Sequence, residues 1–195
     1  MNKKLFVLSI PTLLAPYVVI FSFTLIFFAN DVKLFETIMR SVFRDNGLLL
    51  IAVLAIYFLL TFALCIATFF ISTFKFRDAI SMAKTAMLIK LMQIPAYVVI
   101  FLLGLGAMLG IMTIPFAIAL FWIDCLCLFL TGLPVLSSII CALRQGTIKF
   151  REVIWVIILQ FVFCADVVAA IIYYKRLKEA TVNADQKIAC ELADQ

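Results

Sequence analysis

Between Lys90 and Arg144 the chain carries a single charged side chain, Asp124. A helix needs about 20 apolar residues to cross roughly 30 Å of hydrocarbon, so this stretch is too long for one crossing and must double back on itself. Glycine and proline cluster from Gly110 to Pro115, which places the turn of a helical hairpin there. Spans of about 91–112 and 116–143 follow.

The same criterion, an apolar run bounded by charge, finds three more segments, at about 5–28, 48–74 and 153–174. The predicted fold is therefore all-α: a polytopic membrane helix bundle with five transmembrane helices. Residues 1–178 form one membrane domain and residues 179–195 a polar C-terminal tail. The first run, behind Asn2-Lys3-Lys4, shares the layout of a signal peptide. Its apolar part exceeds the about 7–15 residues of a signal core, and Phe27-Phe28-Ala29 is a poor cleavage site, so it reads as a retained anchor. Pro11 and Pro16 should bend it, which membrane helices tolerate when neighbours satisfy the freed carbonyls.

The first connection has a pattern of its own. Val32, Phe35, Ile38, Met39, Val42 and Phe43 recur at three and four, with Lys33, Glu36, Thr37, Arg40 and Ser41 on the other face. This spacing predicts a short amphipathic helix over about 32–43, capped by Asn30 or Asp31 and ended by Gly47. Such a helix either lies in the membrane interface or packs on the ends of the spans.

Hydrophobic residues make up 67% of the 195 and charged residues 14%, so the chain cannot cover itself with polar surface and the lipid bilayer is its first partner. Histidine is absent, which removes the usual general base, the usual zinc ligand and the Ser-His and Cys-His nucleophile pairs. No enzyme activity, cofactor or metal is expected. The net charge of +5 comes from basic residues between apolar runs, the pattern of cytoplasmic membrane loops and not of a nucleic-acid surface. The cysteines form no CxxC pair, and all but Cys190 lie in or near apolar runs as small fillers.

With the N-terminus inside, Lys3, Lys4, Lys75, Arg77, Lys84, Lys90, Arg144, Lys149 and Arg151 fall in the cytoplasm, the arrangement that positive charge favours. Lys175, Arg176, Lys178 and Lys187 then sit awkwardly outside. The expected location is the cell membrane, multi-pass, with a cytoplasmic N-terminus.

Two carboxylates lie within spans, Asp124 and Asp166. Each costs about 2.5–3.5 kcal/mol at mid-helix on insertion scales, and such residues face a bundle interior or a water-filled cavity. Counting from the hairpin turn along antiparallel helices puts both at one depth, roughly 12 Å from that face. The same count pairs Thr131 with Gln160, and brings Tyr57 and Ser22 near the aspartate level. Asp124, Asp166, Gln160, Thr131 and Tyr57 thus form a candidate ion, proton or polar packing site. Two facing carboxylates would share one proton or bind a cation; the alternative is that each only orders the bundle.

Gly106 and Gly110 form a GxxxG element that permits close helix approach, and Pro134 should kink or unwind the fourth helix. The contexts Asp124-Cys125-Leu126 and Ala165-Asp166-Val167 lack the motifs of intramembrane aspartyl proteases. Four short stretches, Met87-Leu88-Ile89-Lys90-Leu91, Ile94-Pro95-Ala96-Tyr97, Leu130-Thr131-Gly132 and Phe163-Cys164-Ala165-Asp166, resemble a family of small bacterial membrane proteins of unknown function. The resemblance covers about residues 87–178 and implies membrane location and a bacterial source. Two functional readings follow. One is an accessory or assembly component that meets a membrane protein partner or its own copies; the other is an ion- or proton-coupled transporter built on Asp124 and Asp166.

Overall fold

The computed structural model describes residues 3–28, 31–75, 78–110, 113–160, 162 and 165–193, and every element among them is an α-helix. They are α1 (Lys3–Leu8), α2 (Ile10–Phe28), α3 (Lys33–Phe43), α4 (Gly47–Lys75), α5 (Ala79–Met108), α6 (Ile114–Arg144), α7 (Phe150–Leu159) and α8 (Ala165–Ala193). Four segments are long and apolar enough to cross a membrane: Phe6–Phe28, Gly47–Lys75, Ala79–Met108 and Ile114–Arg144. The chain is a multi-pass α-helical membrane protein.

Helices α5 and α6 form the central antiparallel pair. Near the start of α5 the Ala79 carbonyl accepts from the Ser138 hydroxyl, close to the end of α6, at 2.8 Å. At the other end, Gly104 and Met108 of α5 and Ala117 and Leu120 of α6 line one cavity. Helix α4 joins α6 through Ser72 and Thr73, both bonded to Ser137. Below that level the Arg144 guanidinium donates to the Thr73 carbonyl at 3.2 Å and lies over the Phe74 ring. The bundle therefore has one end at the α5–α6 turn and another at the Arg144 end of α6.

Polar side chains from neighbouring helices satisfy carbonyls that prolines set free. A proline ring inside a helix lacks the N–H that would bond the carbonyl four residues back. Pro16 frees the carbonyl of Thr12, which takes the Gln93 amide at 2.8 Å. Pro134 frees that of Leu130, which takes the Cys65 thiol at 3.1 Å. Hydrocarbon offers no water to do the same. Helix α6 accordingly runs unbroken past Pro134 instead of unwinding there.

Helix α3 occupies the first connection. Its ends differ from the sequence expectation: Val32 precedes it without a side-chain cap, and Arg44 in the left-handed region (φ 52°) closes it through a backbone bond to Met39. Asn30 lies outside the described residues. Gly47 instead opens α4, where the Asn46 carboxamide oxygen accepts from Leu48 and Leu49 N–H groups. Ile38, Met39 and Phe43 pack on Leu25 of α2 and Leu50 of α4, so α3 rests on the ends of two spans.

The expected fifth span, 153–174, is not one helix. Helix α7 has 10 residues, about 15 Å or half a crossing, and α8 begins at Ala165 after the chain has turned. The Cβ of Gln160, just past α7, lies 4.0 Å from where a Cβ on Gly132 would stand, midway along α6. From there α8 heads back: the Asp166 carboxylate meets Lys90, and seven residues later the Tyr173 hydroxyl meets Ser138, the residue bonded to Ala79. Since Ala79 precedes Lys90 in α5, α8 runs antiparallel to α5 and towards the Arg144 end. Helices α7 and α8 thus form a hairpin whose tip lies midway along the bundle. Val153 and Val156 of α7 and Ala169, Ala170, Tyr173 and Leu177 of α8 bury against Ala79, Met82, Ala83 and Ala86 of α5, with Val135, Ile139 and Ala142 of α6 in the same cluster. The alanines at 169 and 170 let two helices approach closely.

Candidate functional site

The site is built on one stripe of α5. Lys90, Gln93 and Tyr97 stand at spacings of three and four, the period that brings residues onto one helix face, and all three are buried. The sequence expectation placed Lys90 in a basic cytoplasmic connection with Lys75, Arg77 and Lys84. It lies instead inside α5, which begins at Ala79 where the Asp78 carboxylate accepts from the Ser81 N–H at 3.0 Å.

Lys90 is 0% exposed, and its ammonium donates to Asp166 Oδ2 at 2.7 Å. Asp166, 1% exposed, comes from the first turn of α8, where a helix N-terminus favours negative charge. The tip of the α7–α8 hairpin therefore delivers a carboxylate to a lysine that would otherwise sit unpaired in the membrane interior. Its other oxygen, Oδ1, has no hydrogen-bond partner among the described residues.

Above the pair, in the direction of the α5–α6 turn, the polar contacts continue. The Gln93 amide donates to the Thr12 carbonyl, and Tyr97 donates to Gln93 Oε1 at 3.3 Å. Tyr17 of α2 donates to the Met92 carbonyl on the same helix as Gln93. Higher still, Asp124 of α6 borders a cavity of about 180 Å³ with Ile100, Phe101 and Gly104 of α5. Asp124 is half-buried, and its Oδ1 is buried without a partner among the described residues.

Asp166 bonds Lys90 and not Asp124, while the two carboxylates lie near enough for their charges to interact. Gln160 lies against α6 at Gly132. Thr131 is buried and bonds back to the Leu128 carbonyl of its own helix at 3.1 Å. Tyr57 donates to the Pro11 carbonyl at 2.8 Å, tying α4 to α2. Gly106 has open space where a Cβ would stand and lines a cavity with Phe23 and Phe27 of α2, and Gly110 is crowded by Thr113 of its own turn.

Three residues that sequence reasoning left out belong to the site: Lys90, Gln93 and Tyr97. Their signal was present as a polar i, i+3, i+7 stripe, with the apolar Ala86 to Ile89 before Lys90 showing that the helix starts earlier.

No protein family, no characterised protein and no solved structure matches this chain.

Proposed function

We propose that this membrane protein handles protons or a small cation at a mid-membrane centre formed by Lys90 and Asp166, with Asp124 as a further carboxylate on the path. The observation that carries the reading is the fully buried ion pair, whose second carboxylate oxygen has no partner among the described residues. Ionisable groups so deep in a bundle mark ion pathways and proton relays more often than scaffolding. A proton moving from Lys90 to Asp166 across the 2.7 Å contact leaves the pair neutral overall, and Asp166 Oδ1 offers a lone pair to a further proton or a cation. The cavity at Asp124, about 180 Å³, is below the about 300 Å³ of typical organic-ligand sites, which favours an ion or proton over a larger solute.

In this reading α7 and α8 enter the bilayer from the Arg144 end and return to it. Lys175, Arg176 and Lys178 then join Lys75, Lys84, Arg144, Lys149 and Arg151 on the side of the N-terminus, against Lys33, Arg40 and Arg44 on the other. The positive-inside rule makes the N-terminal side cytoplasmic.

The test is flux into liposomes containing the purified protein alone, under a pH or cation gradient. Flux in the wild type that is lost in Lys90→Met and Asp166→Asn supports the reading; folded wild-type protein that passes nothing refutes it.

A second reading, an accessory subunit, is favoured by one observation. Asp124 lies in a groove between α5 and α6 where Gly104 leaves open space and Phe101, Met108 and Phe121 face outward. A partner's membrane helix with a hydrogen-bond donor fits such a groove, and copurification that depends on Asp124 distinguishes this case.

A further inference from the structure

The geometry points to an anionic-phospholipid site at the open end of the α7–α8 hairpin, with the headgroup phosphate among the basic side chains there and an acyl chain along the outer face of α7. It does not depend on proton or cation handling by Lys90 and Asp166.

The two helices bring five cations to one level. Phe150 stands nine residues before the end of α7 and Tyr174 nine residues after the start of α8, and Val153 packs in one buried cluster with Tyr173 and Leu177. Lys149 and Arg151 therefore lie at the height of Lys175, Arg176 and Lys178, and all five are exposed. Glu152 and Glu179 are the acidic residues at that level, which leaves three positive charges in excess. Among the described residues no carboxylate pairs with any of the five. The opposite end of the bundle has no such excess: Lys33, Arg40 and Arg44 are matched by Asp31, Glu36 and Asp45, and Arg40 already lies 2.9 Å from Glu36 and 3.7 Å from Asp45. Unmatched basic side chains at a bilayer surface attract anionic headgroups, and a guanidinium binds two phosphate oxygens at once.

Helix α7 supplies the apolar half of the site. Phe150, Ile154 and Ile158 recur at every fourth position with Trp155 beside them, and all four are exposed, whereas Val153 and Val156 turn the opposite face into the core. A helix of 10 residues is about 15 Å long, the depth of one leaflet in a hydrocarbon core of roughly 30 Å. The stripe therefore meets the acyl chains of one leaflet alone, the leaflet whose headgroups lie at the five cations. Trp155, about 6 Å deeper than Arg151 by helical rise, stands among the first methylenes of those chains and reports which lipid is there.

The test is quenching of Trp155 emission in Trp122→Phe protein, reconstituted in phosphatidylcholine vesicles with a minor fraction of phosphatidylglycerol. Either the phosphatidylglycerol or an equal amount of the phosphatidylcholine carries brominated chains, which quench a tryptophan only on contact. Brominated phosphatidylglycerol should quench at least about twofold more strongly. Lys149→Gln combined with Arg151→Gln should bring the ratio of the two to about one, while Lys75→Gln combined with Lys84→Gln leaves it unchanged. Equal quenching by the two lipids in the protein with all its basic residues would overturn the inference. So would an excess that survives the hairpin substitutions, which would mean that anionic lipid gathers at this end of the bundle as a whole. Should the first pair of substitutions prevent folding, Lys175→Gln with Arg176→Gln decides by the same ratio.

Discussion

Removing one member of the Lys90–Asp166 pair should damage the protein far more than removing both. At 0% and 1% exposure, neither charge can reach water when its partner is gone. Breaking a buried pair by a single substitution costs about 3–5 kcal/mol, and replacing both with apolar residues is neutral or stabilising by about 1–4 kcal/mol. Lys90→Met and Asp166→Leu should each shift the unfolding equilibrium by roughly two to three and a half orders of magnitude, and the double variant should return to wild type or exceed it. An ordinary interhelical hydrogen bond in a membrane protein contributes only about 0.6 kcal/mol on average, so the two cases are well separated. The assay is detergent-induced unfolding in mixed micelles followed by tryptophan emission; Trp155 lies on α7 and reports on the hairpin directly. Single variants within about 1 kcal/mol of wild type, or a double variant as unstable as the sum of the singles, would show that the pair is not buried as described.

Gln93→Leu orphans the Thr12 carbonyl and should cost about 1–3 kcal/mol in the same assay, whereas adding Pro16→Ala should recover part of it by restoring a backbone donor within α2. Tyr173→Phe removes only the 3.2 Å contact to Ser138 and should lower stability by about 0.5–1.5 kcal/mol, with α8 still docked. In a background lacking the other cysteines, an impermeant thiol reagent should reach Cys190 from the same membrane side as a tag on the N-terminus; labelling from the opposite side would restore the five-span topology. Cysteines replacing Ser72 and Ser137, whose hydroxyls touch, should form a disulfide between α4 and α6 under mild oxidation.

The apolar runs made the spanning helices visible because their signal is length and composition, which survive any tertiary arrangement. The hairpin of α7 and α8 was not visible for the same reason. The run from 153 to 174 is long enough to cross, and nothing in its composition marks a reversal near Gln160. Asp166 was recognised as a charge that needed a partner, but the partner depended on which way α8 runs. Lys90 was misplaced because a lysine beside an apolar run normally ends it; here the run continues on both sides, and only a carboxylate from another helix makes that tolerable. Gln93 was passed over because its partner is a carbonyl, and Pro16 is the only trace of that partner in the sequence.

The pairing of Lys90 with Asp166 also sets an order of events during synthesis. The two residues are 76 positions apart, and at about 5–20 residues per second the lysine is made roughly 4–15 s before its counter-ion exists. Throughout that interval α5 must be held with an unmatched ammonium, either bent towards the headgroups or sheltered by the translocation machinery. The last helices of the chain therefore act as its closing step: until they dock, the four long helices form an assembly whose central charge is still open. Truncation after α6 and before Asp166 should accordingly leave inserted but short-lived chains, which quality control would recognise by a lysine in the wrong place.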